Sequence, residues 1–344
     1  MTAGSQSPPD VLVVGPSWVG DMVMAQGLFI SLERERRTRA IDVLAPAWSL
    51  PLIRRMPQVR EAIELPVKHG QFALSTRWRV GRALRKRRYG RAIVLPRSFK
   101  AALAPFFAGI PERVGWRGEM RYGLLTELRT LDKSVLTGTA QRFVALGLPC
   151  DAPQPPAVPE PHLVVDTANQ RNLIEEFGLA PVPAIVGMMP GAEYGPAKCW
   201  PIERYAELAA RLTHGGRQVW IFGSSRDEPA GAALAAACRT GVANLCGRTR
   251  LEDVVDLLAL ASVAVTNDSG LMHVAAAVGT HVVALYGSSS PQYTPPLTRR
   301  ATVLYRGIYC SPCFERECPL GHFRCMLEMQ VDDVLAAVEK AVAA

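Results

Sequence analysis

Three short segments combine acidic, basic and glycine residues in ways that suit proton transfer and phosphate binding. In VLVVGPSWVGDMVMAQGLF an apolar run ends at Gly15, a turn follows, and Asp21 stands where a helix begins. A carboxylate there can act as a general base, or it can serve as a helix-capping aspartate favoured by the helix dipole. In TNDSGLMHVAAAVGT a strand runs into Asn267-Asp268-Ser269-Gly270 and then an alanine-rich helix. The backbone N–H groups of Ser269 and Gly270 suit a phosphate, Asp268 suits sugar hydroxyls, and His273, one turn on, suits a phosphate oxygen. The structural alternative is an Asp-capped helix with a core histidine. MMPGAEYGPAKCWP carries Lys198 at a third turn. A lysine there neutralises a departing diphosphate, although a lysine exposed on the surface is the commoner case. The next strand ends in IFGSSRDE, where Asp227 or Glu228 suits ribose hydroxyls.

Two further clusters stand apart from these turns. RWRVGRALRKRR, residues 77–88, reads as a helix with Leu74, Trp78, Gly81 and Leu84 inward. Arg77, Arg82, Arg85, Lys86 and Arg88 then face solvent. That face suits an anionic membrane surface or a phosphorylated glycolipid, with a merely solvated face as the alternative. No nucleic-acid-binding motif accompanies the charge, so no nucleic-acid partner is expected. Near the end, CSPCFERECPLGHFRC holds Cys310, Cys313, Cys318 and Cys325 with His322. The spacing, C-x2-C followed by C-x6-C, departs from standard zinc fingers; it leaves a structural zinc site open without predicting one. No catalytic metal and no required cofactor is expected, since no D-x-D pair is evident.

The elements that must position these residues alternate regularly. Strand-like apolar runs fall at 11–14, 41–45, 62–65 and 92–95, separated by helix-length segments, and resume at 184–188, 218–222, 262–266 and 281–286. Between the two series lies PCDAPQPPAVPEP, whose prolines favour an extended linker. IERYAELAARL and LEDVVDLLALA show the helical apolar period. The alternation predicts an α/β chain of two doubly wound, Rossmann-like domains facing across a cleft, residues 1–155 and 156–344. The last helix either stays with the second domain or packs back on the first. GT-B glycosyltransferases and two-domain dehydrogenases or ligand-binding proteins share this outline. Pro16 and Trp18 stand where a G-x-G-x-x-G dinucleotide loop needs small residues, which argues against an oxidoreductase.

Composition narrows the setting. The 344 residues are 49% hydrophobic and 20% charged, which excludes a largely disordered chain. The start, MTAGSQSPPD, lacks the basic and apolar regions of a secretory signal, and no apolar run reaches the roughly 20 residues of a spanning helix. A cytoplasmic protein is expected, with its eight cysteines mostly thiols or metal ligands. Before Pro161 there are 24 basic against 13 acidic residues, and after it 15 against 18, so the halves carry +11 and −3. A basic half implies an acidic partner or simply a solvated surface.

Taken together, GPSWVGDM, AGIPERVGWRGEMRYGLL, PGAEYGPAKCWP, TNDSGLMHVAAA and ALYGSSSPQYTPPL resemble the ADP-heptose:lipopolysaccharide heptosyltransferases of glycosyltransferase family 9. The resemblance spans residues 14 to about 297. It implies a GT-B fold, an amino-terminal domain that binds acceptor and a carboxyl-terminal domain that binds ADP-heptose. It implies inverting transfer of L-glycero-D-manno-heptose to the first heptose of the lipopolysaccharide inner core, on a phosphorylated heptosyl-Kdo2-lipid A acceptor. GPSWVG and GWRGEMRYG favour that second-heptose step over sister enzymes adding the first or a later heptose. By the same resemblance Asp21 is the base, Lys198 contacts the donor diphosphate, and Asp268, Ser269, Gly270 and His273 form the donor loop. Glu193, Tyr194 and Glu228 fall where further donor contacts occur. The implied place of work is the cytoplasm, at the periphery of the anionic inner membrane. A non-catalytic glycolipid-binding protein is the alternative outside the enzymes, motivated by the basic helix.

Overall fold

The computed structural model describes residues 9–68, 70–180 and 184–343. The stretch up to Pro8, read above for a leader, lies outside the described residues. The chain divides into two compact units, Met1–Pro161 and His162–Ala344.

The first unit runs β1 (Asp10–Val14), α1 (Val19–Arg34), β2 (Ala40–Ala45), α2 (Leu50–Ile53), β3 (Val59–Glu64), α3 (Leu74–Leu84), β4 (Arg91–Val94), α4 (Leu103–Phe107), β5 (Glu112–Trp116), β6 (Glu127–Arg129) and α5 (Thr139–Gly147). Its six strands are parallel, in the order β3-β2-β1-β4-β5-β6. β1 is buried along its whole length, as a central parallel strand covered on both faces must be, which is why DVLVV shows no polar alternation beyond its first residue. Leu12, Val14, Leu44, Ala92 and Val94 form one core with Leu84 and Tyr89.

The second unit runs α6 (Thr167–Glu176), β7 (Ile185–Met189), α7 (Ile202–His214), β8 (Gln218–Ile221), α8 (Glu228–Ala236), β9 (Val242–Asn244), α9 (Leu251–Leu258), β10 (Val263–Asn267), α10 (Gly270–Ala277), β11 (His281–Tyr286), β12 (Ala301–Tyr305), α11 (Arg324–Leu327) and α12 (Val331–Ala343). Its strands are again all parallel, in the order β12-β11-β10-β7-β8-β9. Counted from the first strand of each unit, the two sheets have the same order. α12 places Val331, Val334, Val338 and Ala341 in one core with Tyr205, Leu208 and Leu212 of α7. The last helix therefore commits its apolar face to the core of its own unit.

In such a sheet the chain leaves two adjacent central strands in opposite directions, and the loops after them part to form a crevice at their carboxyl ends. That point lies between β1 and β4 in the first unit and between β7 and β10 in the second.

Part of the positive charge of the first unit is neutralised within the fold. Arg60 bridges Asp42 and Asp10, Arg39 pairs with Asp10, and Arg87 pairs with Glu61 and the fully buried Asp42. The Arg39 guanidinium, outweighing burial with help from Arg60, pulls the Asp10 carboxyl down to about 2.

Candidate functional site

The loop leaving β1 leads directly to Asp21. The Gly15 N–H donates to Leu44 O at 2.9 Å, and a Cβ here would sit 2.6 Å from the terminal methyl of Met22, which would have to shift. Trp48 Nε1 donates to Ser17 O at 3.0 Å and fixes the turn. Trp18 is the N-cap of α1 and Asp21 the third helical residue, partly exposed between the buried Gly20 and the buried run from Met22 to Leu32. Asp21 is thus not the capping residue, although it still meets the positive end of the helix dipole.

The corresponding crevice of the second unit is organised by Asn267, the last residue of β10. Its amide nitrogen donates to Pro190 O at 2.6 Å, and its oxygen accepts from Trp200 N at 3.0 Å and from the Tyr205 hydroxyl at 3.3 Å. One buried side chain therefore ties the loop after β7 to the loop after β10. Across that tie, Lys198 Nζ donates to Asp268 Oδ2 at 2.5 Å. The pair is largely withdrawn from water, with 16% and 5% of the two side chains exposed. Thr294 Oγ1 donates to the other Asp268 oxygen at 3.2 Å. The Lys198 ammonium also lies 5.0 Å from the centre of the Tyr194 ring. Ser269 is the N-cap of α10 and Gly270 its first residue, so the amides at the start of this helix open beside Asp268.

His273 is buried in the same helix, and its Nδ1 has no hydrogen-bond partner. Burial lowers its pKa to about 4, against the upward pull of Asp268 and with a smaller downward push from Lys198. The ring is neutral at pH 7 and can donate from one nitrogen only. Between pH 6.5 and 4 the unfolded chain binds a proton that the folded chain refuses, so stability falls as pH drops through that window. The expected loss, on the order of 3 kcal/mol by pH 4, should appear in urea melts at pH 7 and 4.5 and flatten in His273→Gln.

Several sequence expectations need correction. Arg77 does not face solvent. It is 4% exposed, its Nε donates to Phe72 O at 2.7 Å and its Nη2 to Gln71 O at 3.3 Å. Trp78 and Leu74, expected inward, are exposed. The cause is the seat of α3 on α4: a Cβ on Gly81 would lie 2.6 Å from Ala104 O, and this close approach turns Arg77, Gly81 and Leu84 inward. Arg82, Arg85, Lys86 and Arg88 are exposed, as expected. Asp227 is engaged by its own turn, accepting from Ser224 N and Oγ at 2.8 Å each. Glu228 lies exposed in the first turn of α8. Glu193 is an exposed partner of Arg226, whereas Tyr194 lies between Lys198 and Arg316, the latter 5.2 Å from its ring centre. Asn267 and Thr294 were not singled out from the sequence, although TNDSG and YTPPL contain them.

Two like-ordered Rossmann-like sheets, one ending at an acidic helix start and the other at a Lys-Asp pair beside a helix N-terminus, define a GT-B glycosyltransferase. The profile described as glycosyltransferase family 9 (heptosyltransferase) matches residues 77–324, and the chain belongs to that family. It is 48% identical over 305 residues to lipopolysaccharide heptosyltransferase 2 of Escherichia coli strain K12, covering 86% of this chain and 87% of that protein. It is 47% identical over 306 residues to lipooligosaccharide heptosyltransferase 2 of Haemophilus influenzae, covering 86% and 88%. The solved structure of E. coli ADP-heptose lipopolysaccharide heptosyltransferase II superposes with a TM-score of 0.86 at 42% identity, over 97% of this chain and 98% of that one.

Proposed function

We propose that this glycosyltransferase moves L-glycero-D-manno-heptose from ADP-heptose to the first heptose of the lipopolysaccharide inner core, on a heptosyl-Kdo2-lipid A acceptor. The reading is carried by chemistry-bearing residues at both crevices: Asp21 after β1, and the Lys198–Asp268 pair with the α10 amides after β7 and β10. It is supported by the likeness to heptosyltransferases 2 over most of both chains.

In this reading the second unit holds the donor. Lys198 and the amino end of α10 meet the negative charge that grows on the diphosphate as the anomeric bond breaks. Asp268 and Thr294 receive heptose hydroxyls. Asp21 takes the proton from the acceptor hydroxyl while its oxygen attacks the anomeric carbon from the face opposite the departing ADP, which inverts that centre. The transition state has oxocarbenium character, as in glycoside hydrolysis. Transfer needs no cofactor: fixed positive groups neutralise the leaving group, and turnover is expected without added divalent cation. Mass spectrometry of the product tests the assignment. An acceptor carrying one heptose should gain one heptose unit, and Kdo2-lipid A without heptose should not. The reverse preference would make this a first-heptose enzyme.

No helix among the described residues is long and apolar enough to cross a membrane. Phe72, Leu74 and Trp78 are nevertheless exposed beside Arg82, Arg85 and Lys86, with the Arg82 guanidinium 5.2 Å from the centre of the Trp78 ring. Apolar side chains among cations suit the headgroup region of an anionic bilayer. We assign this patch to peripheral docking at the cytoplasmic face of the inner membrane, where the acceptor lipid resides. At about 1 kcal/mol per cation, replacing Arg82, Arg85 and Lys86 by Gln should weaken partitioning onto phosphatidylglycerol vesicles on the order of 100-fold. Cosedimentation measures this, and binding to neutral vesicles should stay low for both proteins.

A further inference from the structure

The four cysteines after β12 have no part in the transfer chemistry. All four are free thiols, and with His322 they line a single pocket in the second unit. The turn Cys318-Pro319-Leu320-Gly321-His322 is wound around one sulfur. Gly321 supplies the positive φ, +67°, that the turn needs, and Phe323 N donates to Cys318 Sγ at 3.4 Å. A sulfur that accepts an amide hydrogen bond suits the thiolate, the form that binds metal. Four thiols so arranged cannot all ionise unless a cation sits among them. Among the described residues no group of three His, Cys, Asp or Glu side chains is arranged to hold a metal ion, so a cation bound here would have to draw the sulfurs together.

The segment that carries these thiols also holds the loop bearing Lys198. Phe314 N donates to Ser288 O at 2.7 Å, and the Tyr194 hydroxyl donates to Phe314 O at 2.6 Å. Ala197 N donates to Arg316 O at 3.0 Å, and a Cβ on Gly195 would lie 2.5 Å from that carbonyl oxygen. The loop that presents Lys198 therefore rests on the stretch between Cys313 and Cys318.

We propose that Cys310, Cys313, Cys318 and Cys325 bind one structural Zn2+ as four thiolates, and that this cation fixes the 192–198 loop for the donor diphosphate. The second half rests on the transferase reading; the first does not. Zinc suits the site because it is soft, has no redox chemistry and accepts tetrahedral sulfur ligation. Binding releases the protons of those thiols still protonated and changes no oxidation state.

The test uses the full chain, purified under reducing conditions without a polyhistidine tag. Elemental analysis should give about one zinc per chain, released by about four equivalents of an organomercurial. Cys318→Ser should lose most of the metal, whereas Cys150→Ser, in the first unit, should keep it. In Cys318→Ser the KM for ADP-heptose should rise about 10-fold or more with a smaller change in kcat, as expected for a displaced binding loop. Should Cys318→Ser fail to fold, the metal content and mercurial release of the unaltered protein still decide the site. Protein that folds with eight reactive thiols and less than about 0.1 zinc, or with disulfides among the four, overturns the site. Iron at full occupancy overturns the choice of zinc. Loss of zinc with an unchanged donor KM overturns the coupling to Lys198. Zinc bound in a chain that transfers no heptose would instead count against the transferase reading.

Discussion

Asp21→Asn is expected to lower kcat by about 1,000-fold, the scale of a lost general base, while the KM for ADP-heptose changes little. The substitution keeps the shape of the side chain and removes its capacity to accept a proton. Its cost to folding should be modest, about 1 kcal/mol, because the amide keeps the shape and much of the hydrogen-bonding capacity of the side chain and loses the charge–dipole interaction of a first-turn carboxylate. A purely structural aspartate predicts the opposite pattern: intact turnover and a lowered melting temperature. Steady-state kinetics beside a thermal melt separates the two. Turnover within threefold of the unaltered enzyme would remove Asp21 from the chemistry.

The central strands and the turns that follow them were legible in the sequence because burial on both faces leaves continuous apolar runs ending at glycine or proline. β1, β4, β7, β8 and β11 announce themselves in this way, β2 does so despite Asp42, and β10 by its apolar start before Thr266-Asn267; each was read within a residue or two of its observed bounds. β3 was read from its apolar end alone. β5, β6, β9 and β12 went unseen. β6 and β12 are partly exposed throughout, β9 is three residues long, and a strand open to water lacks the unbroken pattern that distinguishes it from loop. The orientation of α3 failed for a different reason. RWRVGRALRKRR contains an arginine on either side of Trp78, and helical period alone favours burying the tryptophan. The approach of Gly81 to α4 decides otherwise, and Arg77 is accommodated by carbonyl oxygens. Asn267 escaped notice because its work is between loops distant in sequence, with partners at Pro190, Trp200 and Tyr205. Asp268 and Lys198 could be named singly; that they form one ion pair is a property of the fold.

That pair leads to the second large effect. Lys198→Ala should lower kcat/KM for ADP-heptose by about 100- to 1,000-fold, the range seen when one preorganised group facing developing charge is removed. It should also destabilise the free protein, since breaking a buried pair leaves an uncompensated carboxylate at a cost of about 3–5 kcal/mol. The two consequences have different cures. Adding Asp268→Asn to Lys198→Ala removes the orphaned charge, so the melting temperature should recover most of its loss. Turnover should not recover, because no cation faces the diphosphate. Lys198→Arg should retain much of the stability yet transfer poorly, its planar fork being a poor substitute for a compact ammonium in contact with Asp268 and the Tyr194 ring. A double variant that regained both stability and turnover would show that Lys198 serves only to hold Asp268, and the charge on the departing diphosphate would then have to be met by the α10 amides alone.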